Sequence, residues 1–147
     1  VVTETMAALF GVVGFAVLFG VPRDRIIPAG IAGGFSWTVY RLLLELGINR
    51  FGAIFASAAT LSGLAEWGAR RLRVPVSVFV VPGIIPLVPG ADAYFSMLAF
   101  LHGKDQEGLR IAVQTMLSAL SIAAGVVAAA TVWRVRLPNG EIMQTKK

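Results

Sequence analysis

The sequence has no cysteine and a single histidine, His102. The first absence excludes a disulfide framework and any thiolate metal site, and the second leaves an imidazole site without a second ligand. No metal or other cofactor is expected. Catalytic and nucleotide signatures are missing too. There is no Gly-x-Ser-x-Gly elbow, no His-Glu-x-x-His helix and no Gly-x-x-x-x-Gly-Lys-Ser/Thr phosphate loop. Hydrolytic chemistry and ATP-driven work within this chain are set aside, and the chain is read as a non-enzyme. Charge is also scarce. Only 14% of the 147 residues are charged, against about a quarter in a usual soluble domain, while 56% are hydrophobic. So little charge cannot cover a water-facing surface, which makes lipid the natural solvent for much of the chain. The net charge is +5, but the 13 basic residues lie scattered between apolar runs and form no patch for nucleic acid.

What is present is a series of long apolar runs. A helix needs about 20 mostly apolar residues to cross about 30 Å of hydrocarbon. Five segments approach that standard: residues 6–21, 26–46, 51–69, 73–102 and 109–133. Pro22-Arg23-Asp24-Arg25 stops the first, Pro28 is tolerable in the first turn of the second, and Gly47-Ile48-Asn49-Arg50 turns into the third. The class expected is an all-α membrane protein of about five transmembrane helices, the fourth broken by proline and glycine. One helical domain covers 1–133, and a polar tail covers 134–147, with a turn at 137–140. The first residues carry neither a Met start nor a basic n-region, so the chain is read as a trimmed or internal stretch without a cleavable signal peptide.

Loop charges orient these segments. If each crosses once, Arg23, Arg25, Arg70, Arg71, Arg73, Arg134, Arg136, Lys146 and Lys147 share one side. The other side holds Arg50, Lys104 and Arg110, with Arg41 close to it. The positive-inside rule then places the N-terminus outside and the tail in the cytoplasm, in a plasma (inner) membrane. A fourth segment that re-entered instead of crossing would flip the fifth helix and weaken this asymmetry. Small residues recur at helical spacing (Gly30 and Gly34, Ala124 and Ala128, Ala56 to Ala59), which predicts close helix packing within the chain or between copies. No internal repeat is visible, so a pathway built between two repeats would need a second copy or a partner.

The fourth segment has an unusual composition. It is apolar throughout yet contains Pro82, Gly83, Pro86, Pro89 and Gly90. Each interior proline deletes a helical hydrogen bond and crowds the preceding turn, and the backbone from Gly83 to Gly90 is expected to be unwound. Unwound backbone at membrane depth must be buried in protein or line a wet cavity, and such breaks bind substrates and ions in transporters. The plainer reading is an architectural break that binds nothing. Asp92 and Tyr94 follow at once. Asp92 is either an acidic residue stabilised at a helix N-terminus or a proton or cation site, since ionisable groups inside membranes are costly and tend to be functional. Tyr94 orients substrate or merely packs, and Ser77 is a weaker candidate on the entry half-helix. Glu66 has either a proton-coupling role or an i,i+4 pair with Arg70. Arg41 has either a substrate-carboxylate role or the same kind of pair with Glu45. Gln114 and Thr115 are polar groups inside the fifth span that bond either ligand or neighbouring helices. Trp37, Trp67, Trp133 and Tyr40 read as interfacial belt residues, and His102 as a loop residue.

The strings Ala69-Arg70-Arg71-Leu72-Arg73-Val74-Pro75, Val78-Phe79-Val80-Val81-Pro82-Gly83-Ile84-Ile85-Pro86-Leu87-Val88-Pro89-Gly90 and Ala93-Tyr94 resemble the threonine/serine exporter (ThrE) family. The similarity is strongest to its small YjjB-like component. Phe19-Gly20-Val21-Pro22-Arg23 and Ala29-Gly30-Ile31-Ala32-Gly33-Gly34 fit as well, so the likeness spans residues 11–134. It implies secondary export of small polar metabolites driven by the proton motive force. The substrates implied are threonine and serine or, in split two-chain forms, dicarboxylates such as succinate. It also implies a second helical unit, either fused or supplied as a YjjP-like membrane partner. No site residues come with the resemblance. Two readings of other classes stand beside it: a non-transporting membrane scaffold for a larger partner, and a channel-like homo-oligomer.

Overall fold

The structure is a computed structural model that describes residues 2–136. Those residues form six α-helices and no strand: α1 (Val2–Leu18), α2 (Arg23–Glu45), α3 (Arg50–Leu72), α4 (Ser77–Ile84), α5 (Gly90–Leu101) and α6 (Asp105–Arg136). A short 3₁₀ turn, Ile85–Leu87, continues α4. All five apolar segments are therefore helical, the fourth as the α4–α5 pair. Composition separates them further. The 29 residues Asp105–Trp133 of α6 are long and apolar enough to cross a bilayer, and the α4–α5 pair passes the same test if it is one span bent by 46°. The apolar helix Thr3–Leu18 is shorter than a full span. Helix α6 runs on to Arg136, past the expected end at Trp133, and the turn at 137–140 lies outside the described residues.

Helix starts and stops follow local chemistry. The Asn49 side chain caps α3 by accepting the backbone N–H of Gly52 at 2.7 Å. Arg73, in the left-handed region at φ 52°, ends α3 just before Pro75. Helix α2 begins at Arg23, three residues before the expected start, so Pro28 lies inside the helix and not in its first turn. Its missing N–H leaves the Asp24 carbonyl without its helical donor, close enough to the N-terminus for the helix to continue.

The broken segment departs from expectation. Residues Gly83 and Ile84 remain α-helical, Ile85–Leu87 tighten into the 3₁₀ turn, and only Val88 and Pro89 leave helical geometry before α5 starts at Gly90. The backbone is bent, with no wide unwound stretch. Proline spacing explains this: Pro86 falls early in the 3₁₀ turn and Pro89 immediately precedes α5, places where a missing N–H is cheap.

Helices α1, α2 and α3 are successive neighbours, α4 lies against all three, and α6 packs on α3 and α5. One packed cluster joins Ala16, Ala29, Ala65, Ala69 and Phe79, and a second joins Ile54, Ala58, Leu87 and Ile122. Large apolar side chains point outward in number, with Phe10 70% and Leu120 64% exposed, as a lipid-facing surface requires. Lipid gives no hydrophobic drive for helix association, so close backbone approach must supply it. The small residues do so. A Cβ on Gly33 would lie 2.7 Å from Val12 and 3.1 Å from the Gly83 backbone, locking α2 against α1 and α4. Gly30 and Gly34 likewise meet Val13 and Leu9 of α1, while Ala58 packs beneath α6; Ala124, by contrast, faces outward. Buried serines add crosslinks: Ser36 Oγ donates to the Ser57 carbonyl at 2.8 Å and Ser96 Oγ to the Gly108 carbonyl at 2.8 Å.

Candidate substrate site at the bend

The bend delivers Asp92 to Arg50. Arg50 is the first residue of α3, held there by the Asn49 cap, and Asp92 is the third residue of α5. Arg50 Nη2 donates to Asp92 Oδ2 in a half-buried ion pair, with side-chain exposures of 40% and 27%. Asp92 is therefore not a capping residue: the N-cap of α5 is Pro89, with no side-chain cap bond. The carboxylate still sits in the first turn of α5, where the helix dipole favours it.

A cavity of about 150 Å³ lies against this pair, lined by Trp37 and Tyr40 from α2, Arg50 and Ile54 from α3, and Pro86 to Pro89 from the bend. Two donors here are buried without an acceptor: Trp37 Nε1 and Arg50 Nε. A buried N–H left unpaired costs about 1–3 kcal/mol, so an acceptor that reached either group would be stabilising. Trp37 and Tyr40, read from sequence as belt residues, are in contact with each other at 5.2 Å between ring centroids and form the α2 wall.

On its other side Asp92 borders a second cavity of about 470 Å³, the groove between α5 and α6. Phe95 lines it from α5, and Glu107, Ile111 and Gln114 from α6, with His102 and Lys104 at the turn between them. The Arg50–Asp92 pair thus stands between a small pocket and a larger groove with a partly polar lining.

The other residues singled out in the sequence are distributed as follows. Pro86 and Pro89 line the small cavity with Asp92, and Gln114 lines the larger one, which Asp92 also borders. Pro82 and Gly83 are buried in helix packing: a Cβ on Gly83 would come 2.7 Å from Leu61. Gly90 is exposed and opens α5, and Tyr94, 63% exposed, turns outward edge-on to Phe95. Ser77 starts α4 at the opposite end from the pair. Thr115 donates to its own helix at the Ile111 carbonyl. Glu66 pairs with Arg70 at 3.6 Å. Arg41 does not pair with Glu45; its Nε lies 2.7 Å from Glu4 Oε2 of α1. Sequence reasoning misses Arg50, which reads there only as a loop charge. Its signal was present: a cation directly after the Asn49 cap, on the side of the chain poorest in basic residues.

A family model described as threonine/serine exporter, ThrE, matches residues 4–132. The chain belongs to the threonine/serine exporter family. The match includes both Arg50 and Asp92 and all of the bend. A Haemophilus influenzae protein described as uncharacterized is 26% identical over 99 residues, which is 67% of this chain and 33% of that protein. The chain thus spans about a third of that relative's length. No solved structure matches. Family membership associates this chain with membrane transport.

Proposed function

We propose that this chain forms part of the substrate pathway of a secondary exporter of threonine and serine, and that the Arg50–Asp92 pair reads the charged ends of the amino acid. A free amino acid carries a carboxylate and an ammonium on one carbon. Such a zwitterion can replace the internal ion pair group for group, its carboxylate on Arg50 and its ammonium on Asp92. The carrying observation is the pair itself, bordered by two buried donors without acceptors, Trp37 Nε1 and Arg50 Nε. Both donors suit the carboxylate. At about 150 Å³ the cavity is below the usual 300–1,000 Å³ of ligand pockets, which restricts it to a small side chain.

The same chemistry argues against succinate. A dicarboxylate would set a second negative charge against Asp92, and like charges in a confined site are a strong exclusion device. Proton coupling fits the same carboxylate: protonation of Asp92 would release Arg50 and open the pocket toward the α5–α6 groove. Glu66, engaged with Arg70, has a structural role in this reading. The five apolar legs each cross the bilayer, and a second helical unit, a YjjP-like partner or another copy, covers the groove.

The test is counterflow of labelled threonine, serine and succinate in proteoliposomes holding the chain with its partner unit, with and without a pH gradient. Threonine and serine should exchange and succinate should not. Arg50→Gln and Asp92→Asn should each lower amino-acid exchange about tenfold or more, the worth of one charge-assisted contact to a ligand. Asp92→Asn should also remove dependence on the pH gradient. Unaltered exchange in both variants would sink the assignment, and flux that ignores the gradient in the wild type would make the assembly a channel.

A further inference from the structure

At the end of the molecule opposite the Arg50–Asp92 pair, α2 and α3 part around a cavity of about 560 Å³. Its walls are Pro28 and Ile31 from α2 and Leu64 and Trp67 from α3, and its floor is Phe79, only 2% exposed. Ala32 and Gly68 add almost no side chain to the lining, and Gly68 faces the Phe79 ring. Arg71 stands at its rim, exposed, and has no carboxylate partner among the described residues. Its neighbours are committed or outnumbered. Arg70 is held by Glu66 and stacks over Trp133 at 5.7 Å, Arg25 is paired with Asp24 at 3.1 Å, and Arg23 and Arg73 add charge at the same end. An apolar pit topped by an uncommitted guanidinium, in a membrane protein, has a specific complement.

We infer that this cavity is a binding site for an anionic phospholipid, one acyl chain entering between α2 and α3 and the headgroup phosphate resting on Arg71. The excess of arginine over carboxylate at this end supplies the charge complementarity, since basic pockets between membrane helices take anionic headgroups. Arginine suits the role because its fork meets phosphate oxygens in pairs. A protein helix is a poor occupant: with side chains it is about 10 Å across, too wide to enter between two helices already in contact.

Trp67 in the wall provides the reporter. The full chain is reconstituted in phosphatidylcholine vesicles containing rising fractions of acyl-brominated phosphatidylglycerol or acyl-brominated phosphatidylcholine. Quenching due to Trp67 is taken as the difference between wild type and Trp67→Phe. Brominated phosphatidylglycerol should reach half-maximal quenching at a fraction about fivefold lower than brominated phosphatidylcholine, the preference one arginine gives near a membrane surface. Arg71→Gln should abolish that difference, and Ala32→Phe, which fills the pit, should lower quenching by both lipids. Equal quenching by the two lipids in the wild type overturns the proposal, as does a preference that survives Arg71→Gln. Protection of Trp67 from both lipids means protein covers the cavity and also overturns it, as does competition by millimolar inorganic phosphate.

Discussion

At the scale of single residues, the decisive fact about the site is an imbalance of donors. Arg50 satisfies Asp92 with one nitrogen and leaves Nε buried and unpaired, and the indole N–H of Trp37 is in the same position. Groups like these are rarely left orphaned without a use, because each detracts from stability in the empty protein. This yields a prediction that separates binding from folding. Trp37→Phe keeps the ring packed against Tyr40 and removes only the N–H, so unfolding in detergent should show stability unchanged or higher by up to about 1 kcal/mol. Threonine affinity, read from the concentration dependence of exchange, should fall severalfold. A loss of stability with unchanged affinity would assign Trp37 to packing alone.

At the scale of elements, the helical pattern was legible because apolar runs, prolines and the Asn49 cap are local signals. The break was harder to read. Three prolines in eight residues looked like unwound chain, yet their spacing lets two of them fall where an N–H is dispensable, and only Val88 and Pro89 leave the helix. The α5 start also hid the partner of Asp92, since nothing local connects residue 92 to residue 50. That contact depends on how α3 and the bend are packed together, a tertiary fact. Packing likewise reassigns Gly83. Its sequence context points to pathway backbone, but Leu61 and Gly33 occupy the space around it, so Gly83→Leu should disrupt the fold and cannot probe transport cleanly. The sharper packing test is Gly125→Ala in α6, where a Cβ would overlap the Phe55 carbonyl oxygen and press on Ala58. Forcing α3 and α6 apart should cost about 1–3 kcal/mol in chemical unfolding in detergent micelles. No change in the unfolding midpoint would mean that the α3–α6 crossing is looser than its geometry.

At the scale of the whole molecule, the four-helix body of α1 to α4 and the α5–α6 hairpin divide the work. The body supplies most of the small pocket, which the bend and the start of α5 complete, and the hairpin carries a groove in which Asp92, His102, Lys104, Glu107 and Gln114 share one cavity. Polar lining of this length is costly against hydrocarbon, so in the membrane the groove must be wet or covered by protein. The outer face of α6 is different, with Met116 66% and Leu120 64% exposed and suited to lipid. The natural absence of cysteine makes the distinction measurable, because any introduced thiol is the only one present. Gln114→Cys and Phe95→Cys should react with a water-soluble maleimide roughly tenfold faster than Met116→Cys or Leu120→Cys, since thiols in apolar surroundings resist ionisation and attack. Saturating threonine should slow the reaction at Gln114→Cys if the groove leads to the Arg50–Asp92 pair, and adding the partner unit should slow it further if that unit covers the groove. Equal reactivity at all four positions would remove the groove from the pathway and leave the hairpin as a lipid-facing support for the body.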